Sequence, residues 1–410
     1  MDYKEGVIVK NVPNLRFKEF SGEWEQKKLE DFCDFCGGGT PSKGNTEFWN
    51  GDIAWVSSSD INENNINHIN ITRYITADAV KNSATKICPS NSILIVSRVG
   101  IGKVALSPTE VCTSQDFTNI TNTSSNKKYL AYVISERMKR EAQQSQGTSI
   151  KGITSNEIKS MKFFIPEVKE QEKIASFFSL IDKKIELQTE KVEELKNYKK
   201  GIMQKIFSQE LRFKDENGNE YPEWEEKKLE EIATQIKRVS DIEVNDVLTI
   251  SAGVGFLNQK DRFSQVIAGN SLNKYTLLYE NEFSYNRGNS KKYTYGCIYR
   301  LKTYKQALVP NVYISFRLDN QIGGFYEQLF LNKYLDKQLR QLISSSARMD
   351  GLLNINKDEF FKVRVPIPQL KEQEKIASLL SSIDKKVEKE KEKLDALVDY
   401  KKGLLQQMFV

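Results

Sequence analysis

KEQEKIAS occupies Lys169–Ser176 and is written again, letter for letter, at Lys371–Ser378, 202 positions on. The match runs outward from both copies. IPEVKEQEKIASFFSLIDKKIELQTEKVEELKNYKKGIMQKIF ends at Phe207, and IPQLKEQEKIASLLSSIDKKVEKEKEKLDALVDYKKGLLQQMF ends at Phe409. About 25 of roughly 45 aligned positions are identical, too many for shared helical bias alone. A fainter copy precedes each: LRFKEFSGEWEQKKLEDF from Leu15 returns as LRFKDENGNEYPEWEEKKLEEI from Leu211. The 410-residue chain is therefore a tandem of two half-molecules, able to form a pseudo-dimer within one chain.

The repeated stretch has the spacing of a long helix. Ile174, Phe178, Ile181, Ile185, Gln188, Val192, Leu195, Lys199, Ile202 and Ile206 alternate steps of four and three, a heptad stripe. The second copy gives Ile376, Leu380, Ile383, Val387, Glu390, Leu394, Leu397, Lys401, Leu404 and Met408. The polar breaks coincide, Gln188 with Glu390 and Lys199 with Lys401. Each helix follows a proline, Pro166 or Pro368, which suits a helix start. About 37 residues at 1.5 Å each predict a rod of about 55 Å. A helix so long with so narrow an apolar stripe needs a partner, and the other copy is the obvious one. A whole domain fits between the two helices, so an antiparallel pair is expected, with Gln188 and Glu390 as neighbours at its centre.

Composition narrows the class. Hydrophobic residues make up 39% and aromatics 10%, enough for real cores. No apolar run reaches the ~18 residues of a membrane span, and no leader opens the chain, so a cytoplasmic protein is expected. Five cysteines at 33, 36, 88, 112 and 297 are odd in number and scattered, unlike a disulfide framework. The net charge of +6 is unevenly placed. Residues 33–162 carry 14 Lys/Arg against 11 Asp/Glu, and residues 237–349 carry 16 against 9. The excess lies in the two unique segments and points to a polyanion, or else to an ordinary basic surface.

Those segments read as mixed α/β heads in a shared order. IAWVSSSDI from Ile53 and SILIVSRVGIGKVAL from Ser92 look like strands, and Lys128 to Gln144 like a helix. In the second, DVLTISA, FSYNRGNSKKYTYGCIYRLK and ALVPNVYISFRL read as strands, and GFYEQLFLNKYLDKQLRQLI as a helix. The first continues from Ser145 through a polar loop, a short helix and a strand, SQGTSIKGITSNEIKSMKFFIP, and in the second the polar loop SSSARMDG follows the helix. Same plan with different surfaces suggests two different binding targets.

Catalytic chemistry is hard to find. Ser-His-Asp or Cys-His catalysis would rest on the single histidine, His68, in an Asn-rich loop, and a His-based metal site could have no more than one ligand. Cys33 and Cys36 form a lone CxxC that could bind metal only by recruiting Cys88 and Cys112; the alternative is reduced, partly buried thiols. GIGK at Gly100–Lys103 lacks the rest of a phosphate loop. There is no Asp/Asn-Pro-Pro-aromatic tetrapeptide and no GxGxxG after a strand. A non-catalytic chain is expected.

A variable head followed by a helix opening IPxxxEQxxIA, twice over, resembles the specificity subunit of type I restriction–modification systems. GGGTPSKGNTEFWNGDIAWVSSSDI from Gly37 is similar to the opening of many target-recognition domains in that family. The second head lacks this pattern. The resemblance implies double-stranded DNA with a bipartite site, one half read by each head, and helical spacers that dock two methyltransferase subunits. It also implies restriction subunits in the full complex. S-adenosylmethionine, ATP and Mg would sit on those partners, with no cofactor and no metal in this chain. No membrane partner is expected. The competing readings are a nucleic-acid-modifying enzyme, a transcription regulator, and a coiled-coil scaffold or adaptor that touches no DNA.

The expected fold class is α+β: two mixed α/β target-recognition domains separated by a pair of long antiparallel coiled-coil helices, in a pseudo-two-fold internal repeat. The expected layout is an N-terminal arm (1–32), recognition domain 1 (33–162), spacer 1 (163–208), a linker repeating the arm (209–236), recognition domain 2 (237–364) and spacer 2 (365–410). Base reading needs directional donors and acceptors on loops that enter a groove. In the first head these are Thr40, Ser42, Lys43, Asn45, Ser57, Ser58, Ser59, Arg98, Lys103, Thr148, Ser149 and Lys151. In the second they are Asn286, Arg287, Asn289, Ser290, Lys291, Lys292, Tyr293 and Arg348. YNRGNSKKYTY is the densest mixture of cation, amide and aromatic, with a solvated hairpin tip as the plain alternative. On the helices, Ile174, Ile181, Ile185, Ile376, Ile383 and Val387 are expected to bind partner subunits.

Overall fold

A computed structural model describes residues 12–144, 152–240, 244–263, 269–288, 290–343 and 352–410. The chain divides into two compact units, Met1–Thr189 with Glu392–Val410, and Glu190–Lys391. Both boundaries fall inside the long helices, α4 (Val168–Phe207) and α9 (Leu370–Met408).

In unit 1 the strands are β1 (Glu25–Lys28), β2 (Cys33–Gly37), β3 (Ile53–Val56), β4 (Arg73–Ile75), β5 (Ile87–Cys88), β6 (Ile93–Val96), β7 (Val104–Leu106), β8 (Val111–Thr113), β9 (Phe117–Thr123) and β10 (Lys162–Ile165). The helices are α1 (Ala77–Lys81), α2 (Lys127–Gln144) and α3 (Ser155–Ser160). One four-stranded sheet runs β2-β9-β6-β7 and another β4-β3-β8-β5, with β3 and β8 parallel. A ribbon joins β1 to β10, so the arm closes onto the end of its head.

Outside the repeated arm and helix, unit 2 repeats the plan without repeating the letters. Its strands are β11 (Glu225–Lys228), β12 (Ala233–Gln235), β13 (Leu248–Ser251), β14 (Gly255–Asn258), β15 (Thr276–Tyr279), β16 (Phe283–Asn286), β17 (Cys297–Arg300), β18 (Gln306–Val309), β19 (Ile314–Leu318) and β20 (Arg364–Ile367). Its helices are α5 (Gln259–Phe263), α6 (Gly323–Leu331), α7 (Asp336–Leu342) and α8 (Lys357–Phe361). The sheet β12-β19-β16-β17 has the order of β2-β9-β6-β7. The hairpins β13-β14 and β15-β18 meet through a parallel bridge, Val247 with Leu308, which reproduces β4-β3-β8-β5. The single helix expected over 324–343 is two. Lys333 at φ +59° breaks it, and its ammonium donates to Lys292 O at 2.6 Å.

The repeated Glu-Gln explains why KEQEKIAS is kept twice. Glu170 is fully buried and accepts from Arg16 Nε at 2.7 Å and Nη2 at 2.8 Å, tying the arm to the helix and pushing the guanidinium pKa up. Gln171 accepts from Asn126 N at 2.8 Å and donates to Pro166 O at 2.8 Å. Asn126 in turn accepts from Tyr129 N at 3.0 Å, opening α2. In unit 2, Glu372 takes Arg212 (2.9 Å) and Trp224 Nε1 (2.9 Å). Gln373 accepts from Ile322 N at 3.0 Å, just ahead of α6. One residue holds the arm and the next holds the head, and both must be buried to do so.

The heptad stripe turns inward in both units. Ile174, Phe178 and Ile181 enter the core of unit 1 beside Leu404, Leu405 and Phe409, with Phe178 stacked on Phe409 at 5.7 Å. Lys401 meets Asp182 at 2.6 Å, joining the two helix segments of this unit. In unit 2, Ile206 and Phe207 share a core with Ile376, Leu380 and Ile383, and Lys199 meets Asp384 at 2.6 Å. Gln188 falls in unit 1; Glu390 falls in unit 2, buried and paired with Lys191 at 2.9 Å. The expected partner contacts on the stripe need correction. Ile174, Ile181, Ile376 and Ile383 are buried and Ile185 and Val387 packed against the same cores, because the stripe completes its own unit. Among the described residues, no helix is long and apolar enough to cross a membrane.

Candidate nucleic-acid interface

In unit 1 five segments meet at one end of the two sheets: 38–45 after β2, 57–60 after β3, 97–103 between β6 and β7, 114–116 between β8 and β9, and 152–153. Backbone bonds knit them. Gly39 N donates to Thr113 O (2.8 Å), Ser114 N to Val56 O (2.9 Å), Ser97 N to Asp116 O (2.7 Å) and Ile153 N to Ser97 O (2.8 Å). Gly38 and Gly39 have a steric cause. A Cβ at Gly38 would stand 1.9 Å from Ser114 O, and one at Gly39 2.5 Å from Ala84 C. Trp55 Nε1 donates to Gly39 O at 2.9 Å, holding the loop from beneath.

The expected contacts separate by whether their polar atoms are already engaged. Ser42, Lys43 and Arg98 are exposed at the loop surfaces, and Ser59 is exposed with its hydroxyl already bonded to Ser57 Oγ at 2.9 Å. Thr40 donates to Gln115 Oε1, and Lys103 Nζ donates to Ser58 O at 3.2 Å. Asn45 accepts from Glu47 N at 3.1 Å and so caps the turn Thr46–Trp49. Ser57 belongs to a knot with Asp60 and Arg73: its N–H donates to Asp60 Oδ2 at 2.7 Å, and Arg73 bonds both residues while lying 4.7 Å over the Trp55 ring. Thr148, Ser149 and Lys151 lie outside the described residues.

Unit 2 builds the same end from other side chains. Asn286 donates to Ile250 O at 3.4 Å and accepts from Gly288 N at 2.9 Å. Gly296, at φ +80°, admits no side chain, since a Cβ would stand 2.4 Å from Asn286 O. Tyr293 lies over the Gly253 turn, and Tyr299 Oη accepts from Gly253 N at 2.8 Å. Burial pushes the Tyr299 hydroxyl pKa up, so it stays protonated. Ser290, Lys291 and Lys292 are exposed. Asn289 and Arg348 lie outside the described residues.

Arg287 is a correction. It is 7% exposed, and its guanidinium donates to Ile355 O at 3.1 Å and Val312 O at 2.8 Å. A cation that satisfies buried carbonyls is not presented to a groove. Residue type alone marked it as a reader; its burial makes it a brace. The short loops 114–116 and 310–313 lie at the same end but do not stand out in the sequence, since only three or four residues separate the strands on either side.

The lone CxxC does not form a thiol pair. Cys33 packs against one core cluster and Cys36 against another, on opposite faces of β2. Among the described residues no group of three or more His, Cys, Asp or Glu is placed to hold a metal. Burial pushes the Cys33 thiol up to about 11 and Cys88 up to about 12.

The family model for the type I restriction modification DNA specificity domain matches residues 21–197 and again 221–398. The chain belongs to this family. Over 252 residues it is 29% identical to the type I restriction enzyme MjaIX specificity subunit of Methanocaldococcus jannaschii, covering 58% of each chain. Over 176 residues it is 36% identical to the EcoR124I/EcoR124II specificity subunit of Escherichia coli, covering 41% of this chain and 43% of the other. The chain thus spans about half the length of these two relatives. It matches the MjaVIII specificity subunit of M. jannaschii at 26% over 95% of this chain and 94% of that one. In fold, it is similar to the S subunit of the type I restriction-modification system from M. genitalium, with a TM-score of 0.56 at 18% identity, over 97% and 99% of the two chains.

Proposed function

We propose that this chain is the non-catalytic DNA-recognition subunit of a type I restriction–modification complex in the cytoplasm, each head reading one half of a split double-stranded target. The observation that carries this is the duplicated end: the same two sheets and knitted loops in each unit, with different exposed side chains. Ser42, Lys43, Ser59 and Arg98 face outward in one, Ser290, Lys291 and Lys292 in the other. Cations on such loops neutralise phosphates, and hydroxyls and amides read base edges. Two readers of one build and different surface suit a target with two different halves.

The long helices then act as an antiparallel coiled-coil spacer about a pseudo-two-fold axis. Lys401–Asp182 and Lys199–Asp384 support this, because equivalent residues exchange roles, as a two-fold relation requires. Two methyltransferase subunits dock on the outward helix faces, where Leu180, Leu187, Tyr198 and Tyr400 stay more than half exposed. S-adenosylmethionine, ATP and Mg belong to those partners and to the restriction subunits.

The test is selection from randomised duplexes by the chain co-expressed with its methyltransferase subunits. Two short motifs at a fixed gap are expected. No enrichment of any motif would favour a scaffold that does not bind DNA.

A further inference from the structure

The loops β8–β9 and β18–β19 occupy the same place in the two heads. β8 ends at Thr113 and β18 at Val309, and the second residue beyond each is an exposed amide, Gln115 or Asn311. The equivalence rests on contacts as well as counting. The residue after Gln115 is Asp116, and its carbonyl accepts from Ser97 N at 2.7 Å and Ser97 Oγ at 2.9 Å. The residue after Asn311 is Val312, and its carbonyl accepts from Arg287 at 2.8 Å. Ser97 and Arg287 are each the first residue beyond an equivalent strand, β6 or β16. Their own carbonyls accept from Ile153 N at 2.8 Å and Leu353 N at 2.9 Å, equivalent positions again. One residue in each head therefore braces the amide-bearing loop against the segment 152–153 or 352–353.

We infer that Gln115 and Asn311 are specificity-determining residues, each pairing with an adenine in the half-site of its own head. This rests on the DNA-recognition reading above. A carboxamide carries a donor beside an acceptor, which matches the N7 acceptor and N6 donor of adenine in the major groove. Thr40 donates to Gln115 Oε1, so the amide is oriented before DNA arrives, with its NH2 group left to donate to N7 and the second lone pair of Oε1 to accept from N6. Orientation in advance lowers the ordering cost of the contact. Arg287 becomes a positioning residue, acting through Val312 O on the loop that carries Asn311. The side chains differ by one methylene, so the heads reach different depths from the same loop.

The experiment uses the full chain with its methyltransferase subunits and the same selection from randomised duplexes. Gln115→Ala should lower the preference for adenine at one position of one half-site by about tenfold or more, the scale of a bidentate base contact. The other half should be unchanged. Asn311→Ala should do the converse. Both sites are exposed, so thermal midpoints should match the parent chain. A 7-deazaadenine at the affected position, which removes only N7, should weaken the parent and leave Gln115→Ala no weaker than it already is. Unchanged motifs in both variants, or uniform weakening on every sequence, would overturn the inference while leaving DNA recognition standing. A parent complex that selects no split motif would overturn both.

Discussion

Lys401 on α9 holds Asp182 on α4 at 2.6 Å with both side chains under a tenth exposed, and the repeat-equivalent Lys199 holds Asp384 at 2.6 Å with the carboxylate 45% exposed. One sequence relation thus has two environments. In unit 1, Asp182 also accepts from Tyr132 Oη at 2.5 Å and Asn67 Nδ2 at 2.9 Å, and burial beside Asp182 pushes the Tyr132 hydroxyl pKa up. In unit 2, Asp384 accepts from Gln328 Nε2 at 2.9 Å near solvent.

Breaking a buried pair strands a charge and costs about 3 kcal/mol, whereas a pair open to water is worth under about 1 kcal/mol. Lys401→Ala should therefore lower the urea midpoint clearly, and Lys199→Ala only slightly. Equal losses would mean that the burial difference has no energetic weight.

Arg287 and the neighbouring lysines should behave oppositely. Arg287→Ala leaves two carbonyls without a donor, at about 1–3 kcal/mol each, and should lower the thermal midpoint. Changing Lys291 and Lys292 together to Ala should leave stability alone. If both neutralise phosphates, the slope of log affinity against log salt should become shallower by about 2. A salt slope that fell with Arg287→Ala at unchanged stability would reverse the assignment.

The buried thiols make stability depend on alkaline pH. Burial raises Cys33 and Cys112 to about 11 and Cys88 and Cys297 to about 12, from an ordinary 9.0. Below pH 9 the thiols are neutral whether the chain is folded or not, and their contribution is fully present. As pH rises from about 9 toward 12, only the unfolded chain releases the protons, so stability falls. Urea midpoints at pH 8 and pH 10.5 should show the loss, and Cys88→Ala with Cys297→Ala should flatten it. An equal slope in the variant would assign the loss to other groups.

The helices were legible because their signal is local and redundant: three-four spacing, a leading proline, and a second copy to check it. Even the polar breaks at Lys199 and Lys401 were visible, though their partners, Asp384 and Asp182, lie outside the stripe. The heads were legible as strands and helices but not as sheets, since β3 finds β8 and β13 finds β18 across more than fifty residues. Site residues were the least legible. A serine, asparagine or arginine in a polar loop reads alike whether its atoms face solvent or close a turn. Asn45 caps a 3-10 turn and Arg287 braces two carbonyls, while the exposed amides at Gln115 and Asn311 sat in loops too short to attract notice.

Independence of the two heads is the central claim, and exchanging one tests it most directly. Residues 33–162 would be replaced by the corresponding head of another specificity subunit, and the co-expressed complex offered randomised duplexes. The account predicts a new motif in one half of the split target, with the other half retained. Alteration of both halves, or of neither, would contradict it.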